Sequence, residues 1–161
     1  MFELLRKRFE KIYRGSDHYE NFPVAPFYFS KKKIKALRAI YKFARYSDDI
    51  ADSTEFSKSV KLNELIRLKK CLSKEDEPKN NFEKKIFHNL FFEIKNWNLN
   101  LINFSNLIDA FISDQQKNEY ENIEEILIYC KNSANPIGRI VLELFNENNE
   151  KNMQLSDSVC S

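Results

Sequence analysis

The chain has 161 residues, of which 42% are apolar and 31% charged, with only two glycines and four prolines, a composition that favours long helices over strands and turns. The 26 basic and 24 acidic residues give a net charge of +2, so no basic excess argues for a nucleic acid partner. Three widely spaced cysteines exclude a disulfide framework and charges interrupt every apolar run, so we expect one cytoplasmic domain, residues 1–161, without a transmembrane helix.

Hydrophobic periodicity predicts helices along most of the chain. The predicted helices run from Phe2 to about Tyr13, from the N-cap Ser30 to roughly Ser53, near Ser57–Leu72, near Asn81–Trp97, from Leu99 to about Gln116 and from about Asn122 to Leu144. Pro136 and Gly138 interrupt the last of these helices. A polar break at 146–150 precedes a new apolar pattern that begins at Met153. Together these elements predict an all-α bundle.

The helix predicted after Ser30 carries a stripe of polar side chains. The stripe consists of Tyr41, Arg45, Asp48 and Asp52. Because intervals of three or four residues bring side chains to one face of a helix, the stripe shares its face with apolar positions such as Ile34. We therefore expect the stripe on the core-facing side of the helix. The side chains expected to project elsewhere are Lys35, Lys42 and Tyr46.

Acidic side chains on an apolar face need compensation, because desolvating an unpaired carboxylate is very costly. Two explanations are open from the spacing alone. Arg45 can neutralise Asp48 or Asp52 within a structural network, or this end of the helix can line a cavity that holds cations. Oxygen ligands one helical turn apart suit Mg²⁺, which completes its shell with water and phosphate oxygens. A diphosphate is then the natural partner, with Arg45 gripping a phosphate.

Four blocks of the sequence resemble the squalene/phytoene synthase family. They are His18-Tyr-Glu-Asn-Phe-Pro-Val-Ala25, Ala39–Asp52, Asp109–Asp114 followed by Tyr120, and Tyr129–Arg139. The first and last blocks are similar to the bacterial hydroxysqualene synthase branch of that family. The resemblance implies the all-α isoprenoid-synthase fold, in which the aspartate helix lines a central cavity.

The same resemblance implies a site for Mg²⁺ and a prenyl diphosphate. Asp48 and Asp52 would bind Mg²⁺, with Asp49 a less favourably placed ligand because it lies about 100° round the helix from Asp48. Tyr41 and Arg45 would contact the diphosphate as catalytic residues. The further substrate-binding residues would be His18, Tyr19, Glu20, Asn21, Phe22, Asp114, Tyr129 and Gly138.

The reaction implied by the resemblance is a transferase-type conversion of presqualene diphosphate to hydroxysqualene with release of pyrophosphate. Two alternatives stay open. One is head-to-head condensation of prenyl diphosphates, as in squalene or phytoene synthases. The other is a non-catalytic helical assembly protein derived from the fold, although such a protein has no need of the complete stripe. Peripheral contact with the inner face of the membrane and the oligomeric state also stay open.

Three further positions have structural as well as functional interpretations. Gly138 with Pro136 either kinks a helix or exposes backbone to a lipid chain, and we favour the lipid contact. Asp114 either pairs with Lys117 on the surface or lies at the cavity rim, as the resemblance implies. Arg139 is expected to form a structural ion pair.

The family pattern continues beyond Ser161 into a helix with a second aspartate-rich motif, which faces the first across the cavity. We therefore expect a partial synthase domain, truncated before that helix, in which Asp157 does not replace the second motif. Because ionising such a diphosphate needs several cations around the leaving group, we expect this polypeptide alone to have little or no activity. The uncovered cavity wall is expected to form an apolar patch.

Overall fold

The computed structural model describes residues 29–116 and 120–160, which form seven helices and no strand. The predicted all-α class is therefore confirmed for this part of the chain. The helix predicted from Phe2 to Tyr13 and the segment from His18 to Phe22 lie outside the described residues. The chain divides into two compact units, residues 1–38 and 39–161. No helix in the described ranges is long and apolar enough to cross a membrane.

The helices follow one another with short connections. They are α1 (Lys31–Asp52), α2 (Lys58–Ser73), α3 (Asn81–Trp97), α4 (Leu101–Asp114), α5 (Ile123–Ser133), α6 (Asn135–Phe145) and α7 (Glu150–Cys160). The predicted interruption of the long helix is confirmed, because Ala134 separates α5 from α6. Pro136 lies in the first turn of α6, where its missing N–H would have no partner within the helix.

Short polar side chains precede all of these helices except α6, which follows Ala134, and asparagine often ends them. Asn80 begins α3, and its side-chain oxygen accepts hydrogen bonds of 2.9 Å from the backbone N–H groups of Phe82 and Glu83. The residues that end α2, α3 and α6 in a left-handed conformation are Lys74 (φ 62°), Asn98 (φ 52°) and Asn146 (φ 57°). These positions usually favour glycine, but in this glycine-poor chain asparagine and lysine occupy them.

The core of the second unit is built around α4, which packs against α2, α5 and α6, while α6 packs against α7. α1 joins this core through Phe43. Its ring meets the ring of Phe87 on α3 edge-on at 5.7 Å between centroids and that of Phe104 on α4 at 6.0 Å. All three rings are buried, and burial of each contributes roughly 2–3 kcal/mol.

The face that α1 turns towards the core differs from the predicted one. The buried side chains of α1 in the second unit are Ala39, Ile40, Phe43, Tyr46, Ser47, Ile50 and Ala51. Arg45 and Asp52 are exposed, so the prediction that the stripe faces the core is wrong. Tyr46 was expected to project elsewhere, but it is buried because its hydroxyl donates a hydrogen bond of 2.6 Å to the carboxylate of Glu83.

A buried carboxylate joins three helices. Glu83 of α3 accepts hydrogen bonds from Tyr46 Oη at 2.6 Å, from Arg67 Nη2 at 2.7 Å and Nη1 at 3.0 Å, and from the backbone N–H of Lys79 at 2.8 Å. Arg67 of α2 also pairs with Glu64 at 3.1 Å. Burial alone would raise the pKa of Glu83, but the hydrogen bonds from Arg67 and Tyr46 outweigh burial and leave this pKa below its ordinary value. The charge of Glu83 is thus fully compensated.

Candidate active site

The C-terminal end of α1 carries an accessible cluster of charges. Arg45 Nη1 lies 2.8 Å from Asp48 Oδ2, and Arg45 Nη2 lies 2.9 Å from Asp49 Oδ1. The Arg45 side chain is 50% exposed, compared with 32% for Asp48 and 19% for Asp49. Arg45 therefore does neutralise acidic neighbours, as the structural explanation required. However, these pairs lie near the surface and not within a packed core.

Asp52, the last residue of α1, adds a further carboxylate. Burial raises the pKa of Asp48 most, and the nearby charge of Asp52 raises it further, while Arg45 opposes both effects. Burial also raises the pKa of Asp49, with Arg45 again opposing the shift. Arg45 thus compensates only part of the acidic charge. These acids also lie at the negative end of the helix dipole, where carboxylates are unfavourable.

A second helix brings Asp114 to the same cluster. Asp114 is the last residue of α4, and its Oδ2 accepts a hydrogen bond of 2.9 Å from Tyr129 Oη. Burial raises the pKa of Asp114 and the charge of Asp52 adds to this effect, whereas the Tyr129 hydrogen bond opposes it. The charge of Asp114 in turn contributes to the raised pKa of Asp48. Lys117, the alternative partner of Asp114, lies outside the described residues.

Aromatic side chains lie beside these acids. Tyr129 is on α5, and its ring centroid is 5.4 Å from that of Tyr120. Burial and then the hydrogen bond to Asp114 raise the pKa of Tyr129. Tyr41 is half-buried and lies one turn before Arg45 on α1. The roles of Tyr41 and Tyr129 towards a substrate stay predictions, as do those of the segment from His18 to Phe22.

The side chain of Gln115 joins the ends of α1 and α4. Its Nε2 atom donates a hydrogen bond of 3.2 Å to the backbone oxygen of Ala51 and one of 3.4 Å to that of Phe111. Sequence reasoning did not find this residue. Its partner Ala51 is 64 positions away in the chain, and a single glutamine belongs to no spacing pattern that would indicate a site.

α6 and α7 pack so closely that a side chain at Gly138 would displace those of Ser156 and Cys160. A Cβ atom there would lie 2.3 Å from Ser156 Oγ and 2.9 Å from Cys160 Sγ. α7 therefore lies on the side of Gly138 towards which a side chain would point, and contact of Gly138 with a lipid chain stays a prediction. The same helices are joined by Arg139, whose Nε donates a hydrogen bond of 3.0 Å to Asp157 Oδ1. The predicted structural ion pair of Arg139 is confirmed.

α5 presents apolar side chains to solvent near the acidic cluster. The exposed members are Ile123, Ile126, Leu127 and Ile128, and no residue of this helix is buried. Ile126 shares a face with Tyr129, because the two positions are three apart on a helix. This apolar surface is of the kind that we expected for an uncovered cavity wall.

The donor set at the end of α1 fits a hard cation in a limited role. Within residues 29–116 and 120–160, no group of three or more Asp, Glu, His or Cys side chains converges on one metal position. Mg²⁺ commonly takes one or two carboxylates and completes its shell with water and phosphate oxygens. Asp48 and Asp52, one turn apart and accessible to solvent, match that requirement better than they match a site made entirely of protein ligands.

Comparison with known proteins agrees with the resemblance seen in the sequence. The family model described as squalene/phytoene synthase matches residues 16–161. Hydroxysqualene synthase from Zymomonas mobilis is 33% identical over 153 residues, which cover 91% of this chain and 48% of that protein. Hydroxysqualene synthase from Sinorhizobium fredii is 31% identical over 142 residues, which cover 88% of this chain and 47% of that protein.

A solved structure supports the same relationship. The squalene synthase HpnC from Alicyclobacillus acidocaldarius superposes with a TM-score of 0.71 at 31% sequence identity, covering 97% of this chain and 58% of that one. The expected isoprenoid-synthase-type helical fold is thereby confirmed. This chain spans about half the length of the curated relatives that it matches. On the family match and on relatives above 30% identity, the chain belongs to the squalene/phytoene synthase family.

Proposed function

We propose that this chain supplies one acidic wall of a prenyl diphosphate site, in an enzyme that converts presqualene diphosphate to hydroxysqualene and pyrophosphate. The observation that carries the proposal is the exposed Arg45–Asp48 pair at the end of α1, on which the charges of Asp52 and Asp114 also act. The similarity to two hydroxysqualene synthases supports the choice of reaction. Because those relatives are about twice as long, the activity is proposed for the complete enzyme.

The charge balance favours a ligand site over a purely structural ion pair. A structural pair is satisfied once Arg45 meets Asp48 and Asp49. Asp52 and Asp114 then add negative charge that no described cation at the cluster balances. Carboxylates at the C-terminal end of a helix each cost roughly 0.3–1 kcal/mol. A site that binds a cation explains why this arrangement is maintained.

Each residue of the cluster has a defined part in the proposed chemistry. Asp48 and Asp52 would hold Mg²⁺, and Asp49 could join them when Arg45 turns to the substrate. The bound Mg²⁺ would neutralise charge on the departing pyrophosphate. Arg45 would exchange its carboxylate partners for phosphate oxygens, to which its planar guanidinium can donate two hydrogen bonds. Tyr41, one turn earlier on α1, would contact the same diphosphate.

The proposed reaction balances without a further co-reactant besides water. The carbon–oxygen bond to the diphosphate breaks, and its electron pair leaves with pyrophosphate. The carbocation rearranges against apolar walls, to which Ile126 and its neighbours on α5 would contribute. A water molecule then donates its oxygen to the cation and releases a proton. The product carries a hydroxyl group, which the hydrocarbon products of head-to-head condensation lack.

A binding measurement tests the proposal. Farnesyl thiodiphosphate, a slowly hydrolysed analogue, should bind the purified chain in the presence of Mg²⁺, and EDTA should abolish the binding measured by titration calorimetry. Asp48→Ala with Asp52→Ala should weaken it at least about tenfold. Glu75→Ala with Glu77→Ala removes the same charge from the exposed α2–α3 loop and should leave it unchanged. Binding that is indifferent to Mg²⁺ and to the first double variant would refute the proposed site.

We further propose that the 161-residue chain binds substrate but turns it over slowly or not at all. One acidic cluster offers few cations to a leaving group that needs several. The measurement is incubation with presqualene diphosphate, followed by assay of pyrophosphate and mass spectrometry of the lipid extract. Hydroxysqualene formed at many turnovers per chain would contradict this. In separate incubations, squalene from farnesyl diphosphate with NADPH as hydride donor, or phytoene from geranylgeranyl diphosphate, would support condensation instead.

A further inference from the structure

The backbone carbonyl groups at the C-terminal end of α1 need hydrogen-bond donors from elsewhere in the fold. The last carbonyl groups of a helix have no N–H partner within it, and the last turn of α1 has no basic residue. Gln115 provides a donor at this place, because its Nε2 atom lies 3.2 Å from the backbone oxygen of Ala51. The same amide group also lies 3.4 Å from the backbone oxygen of Phe111 in α4. One side chain therefore holds both helix ends.

The hydrogen bond between Gln115 and Ala51 lies next to the acidic cluster. Ala51 directly precedes Asp52, and Asp114 directly precedes Gln115. The hydrogen bond thus acts one residue away from a carboxylate on each helix. These carboxylates repel each other, since each is close enough for its charge to act on the others. Repulsion between the helix ends works to separate them, and the Gln115 amide opposes that separation.

We propose that Gln115 is a positioning residue, which fixes the last turn of α1 against α4 and so sets the spacing of Asp52 and Asp114 for a cation and a diphosphate. This inference rests on the proposed function. Gln115 does not itself contact the ligand; it acts through the backbone of Ala51. A merely structural cap would stabilise the fold and leave the ligand affinity of folded protein unchanged, so the two roles differ in what they alter.

Two variants remove the donor with different side effects. Gln115→Met has nearly the same length but no N–H group. Gln115→Glu keeps the shape but replaces the amide donor with a carboxylate, which can only accept hydrogen bonds. It should therefore lower the ligand affinity more than Gln115→Met does. Gln116→Met is the matched control, because Gln116 is the exposed neighbouring residue. Circular dichroism at the assay temperature confirms that each variant is folded before any comparison is made.

Two measurements then decide the role of Gln115. Hydrogen exchange of the peptide that covers residues 46–55 should become faster in Gln115→Met than in wild type, with no change in Gln116→Met. Mg²⁺-dependent affinity for inorganic pyrophosphate and for farnesyl thiodiphosphate should fall by about tenfold, the lower limit seen when a residue that supports metal ligands is lost. Both ligands should lose affinity equally, because they share the diphosphate group and Gln115 acts on the helix ends that carry Asp52 and Asp114.

The possible results separate this inference from the proposed function. If hydrogen exchange is unchanged, Gln115 does not hold α1, and the inference is wrong even when wild type binds both ligands. If exchange increases but the folded variant binds both ligands within twofold of wild type, Gln115 is a structural cap only. If wild type shows no Mg²⁺-dependent binding, the proposed function fails and the positioning role fails with it.

Discussion

The buried carboxylate of Glu83 offers a quantitative test of the packing between α1, α2 and α3, through the substitution Glu83→Gln. Glu83 is 1% exposed and accepts from Tyr46, Lys79 and both terminal nitrogens of Arg67. A glutamine keeps one acceptor oxygen but points an NH₂ group at other donors, so at least one donor loses its partner. Breaking such a buried pair costs about 3–5 kcal/mol. Because Arg67 retains Glu64 as a partner, we expect Glu83→Gln to lower the free energy of unfolding by about 3 kcal/mol, the lower limit of that range.

Urea unfolding at neutral pH measures this loss. Far-ultraviolet circular dichroism reports the helices, and the fluorescence of Trp97, the only tryptophan of the chain, reports α3. The matched control is Asp109→Asn, the same change in an ion pair with Lys69 whose side chains are 37% and 41% exposed. The control should cost less than about 1 kcal/mol. A loss for Glu83→Gln as small as that of the control would refute the reasoning.

The pH dependence of the free energy of unfolding shows whether the charge of Glu83, and not only its shape, stabilises the fold. Burial raises the pKa of Glu83, but hydrogen bonds from Arg67 and Tyr46 outweigh it, so the pKa of the folded state is lowered. A lowered pKa stabilises the fold above the unfolded-state value of about 4.3, and this stabilisation is lost as the pH falls through the folded-state value. The stability difference between wild type and Glu83→Gln should therefore stay constant down to about pH 5 and then shrink. A difference that grows on acidification would contradict the assignment.

Two smaller changes test a helix end and a close contact. Asn80→Ala removes the acceptor at 2.9 Å from the N–H groups of Phe82 and Glu83, and should lower the free energy of unfolding by about 1 kcal/mol in urea, whereas Asn80→Asp should not. Gly138→Ala should change thermal stability little, because Ser156 Oγ and Cys160 Sγ are the ends of short side chains that can rotate away and alanine favours helix. Gly138→Leu should cost about 2 kcal/mol by overpacking. Equal losses for both substitutions of Gly138 would count against the close packing.

The helix boundaries could be predicted because they depend on local signals. Ser57 and Asn80 precede helical patterns and cap α2 and α3 with their side chains. Pro136 cannot continue a helix that has an intact hydrogen-bond ladder, so a break near it follows from its chemistry alone. The break at Ala134 lies two residues earlier, which places Pro136 in the first turn of the next helix.

The orientation of α1 could not be predicted in the same way, because it depends on residues far away in the chain. The hydroxyl of Tyr46 finds its partner Glu83 37 residues later, and this partner allows the ring to be buried. Phe43 meets Phe87 and Phe104, which turns its own face of α1 inwards. Spacing alone could not distinguish this face from the neighbouring one. The stripe therefore lies beside the core, and not within it.

The candidate site was predictable to different degrees at different residues. Asp48 and Asp52 follow from helical spacing, because one turn separates them. Asp114 was indicated only by the resemblance to the family. Gln115 and the pairing of Arg45 with Asp49 were found only in the structure, since both depend on which rotamers and which helix ends meet.

The charge cluster around Glu83 and the one around Asp48 and Asp114 differ in whether hydrogen-bond donors and cations balance the acids. Around Glu83 the donors are sufficient, so its pKa is lowered although the group is buried. Around Asp48 and Asp114 the acids exceed the available donors, so burial and mutual repulsion raise the pKa of each. A structural network that is complete lowers the free energy of the charged state, whereas an excess of acid leaves it high until a cation arrives. The acidic end of α1 is therefore where we propose that a positively charged partner binds, while the Glu83 network holds the helix that carries this end.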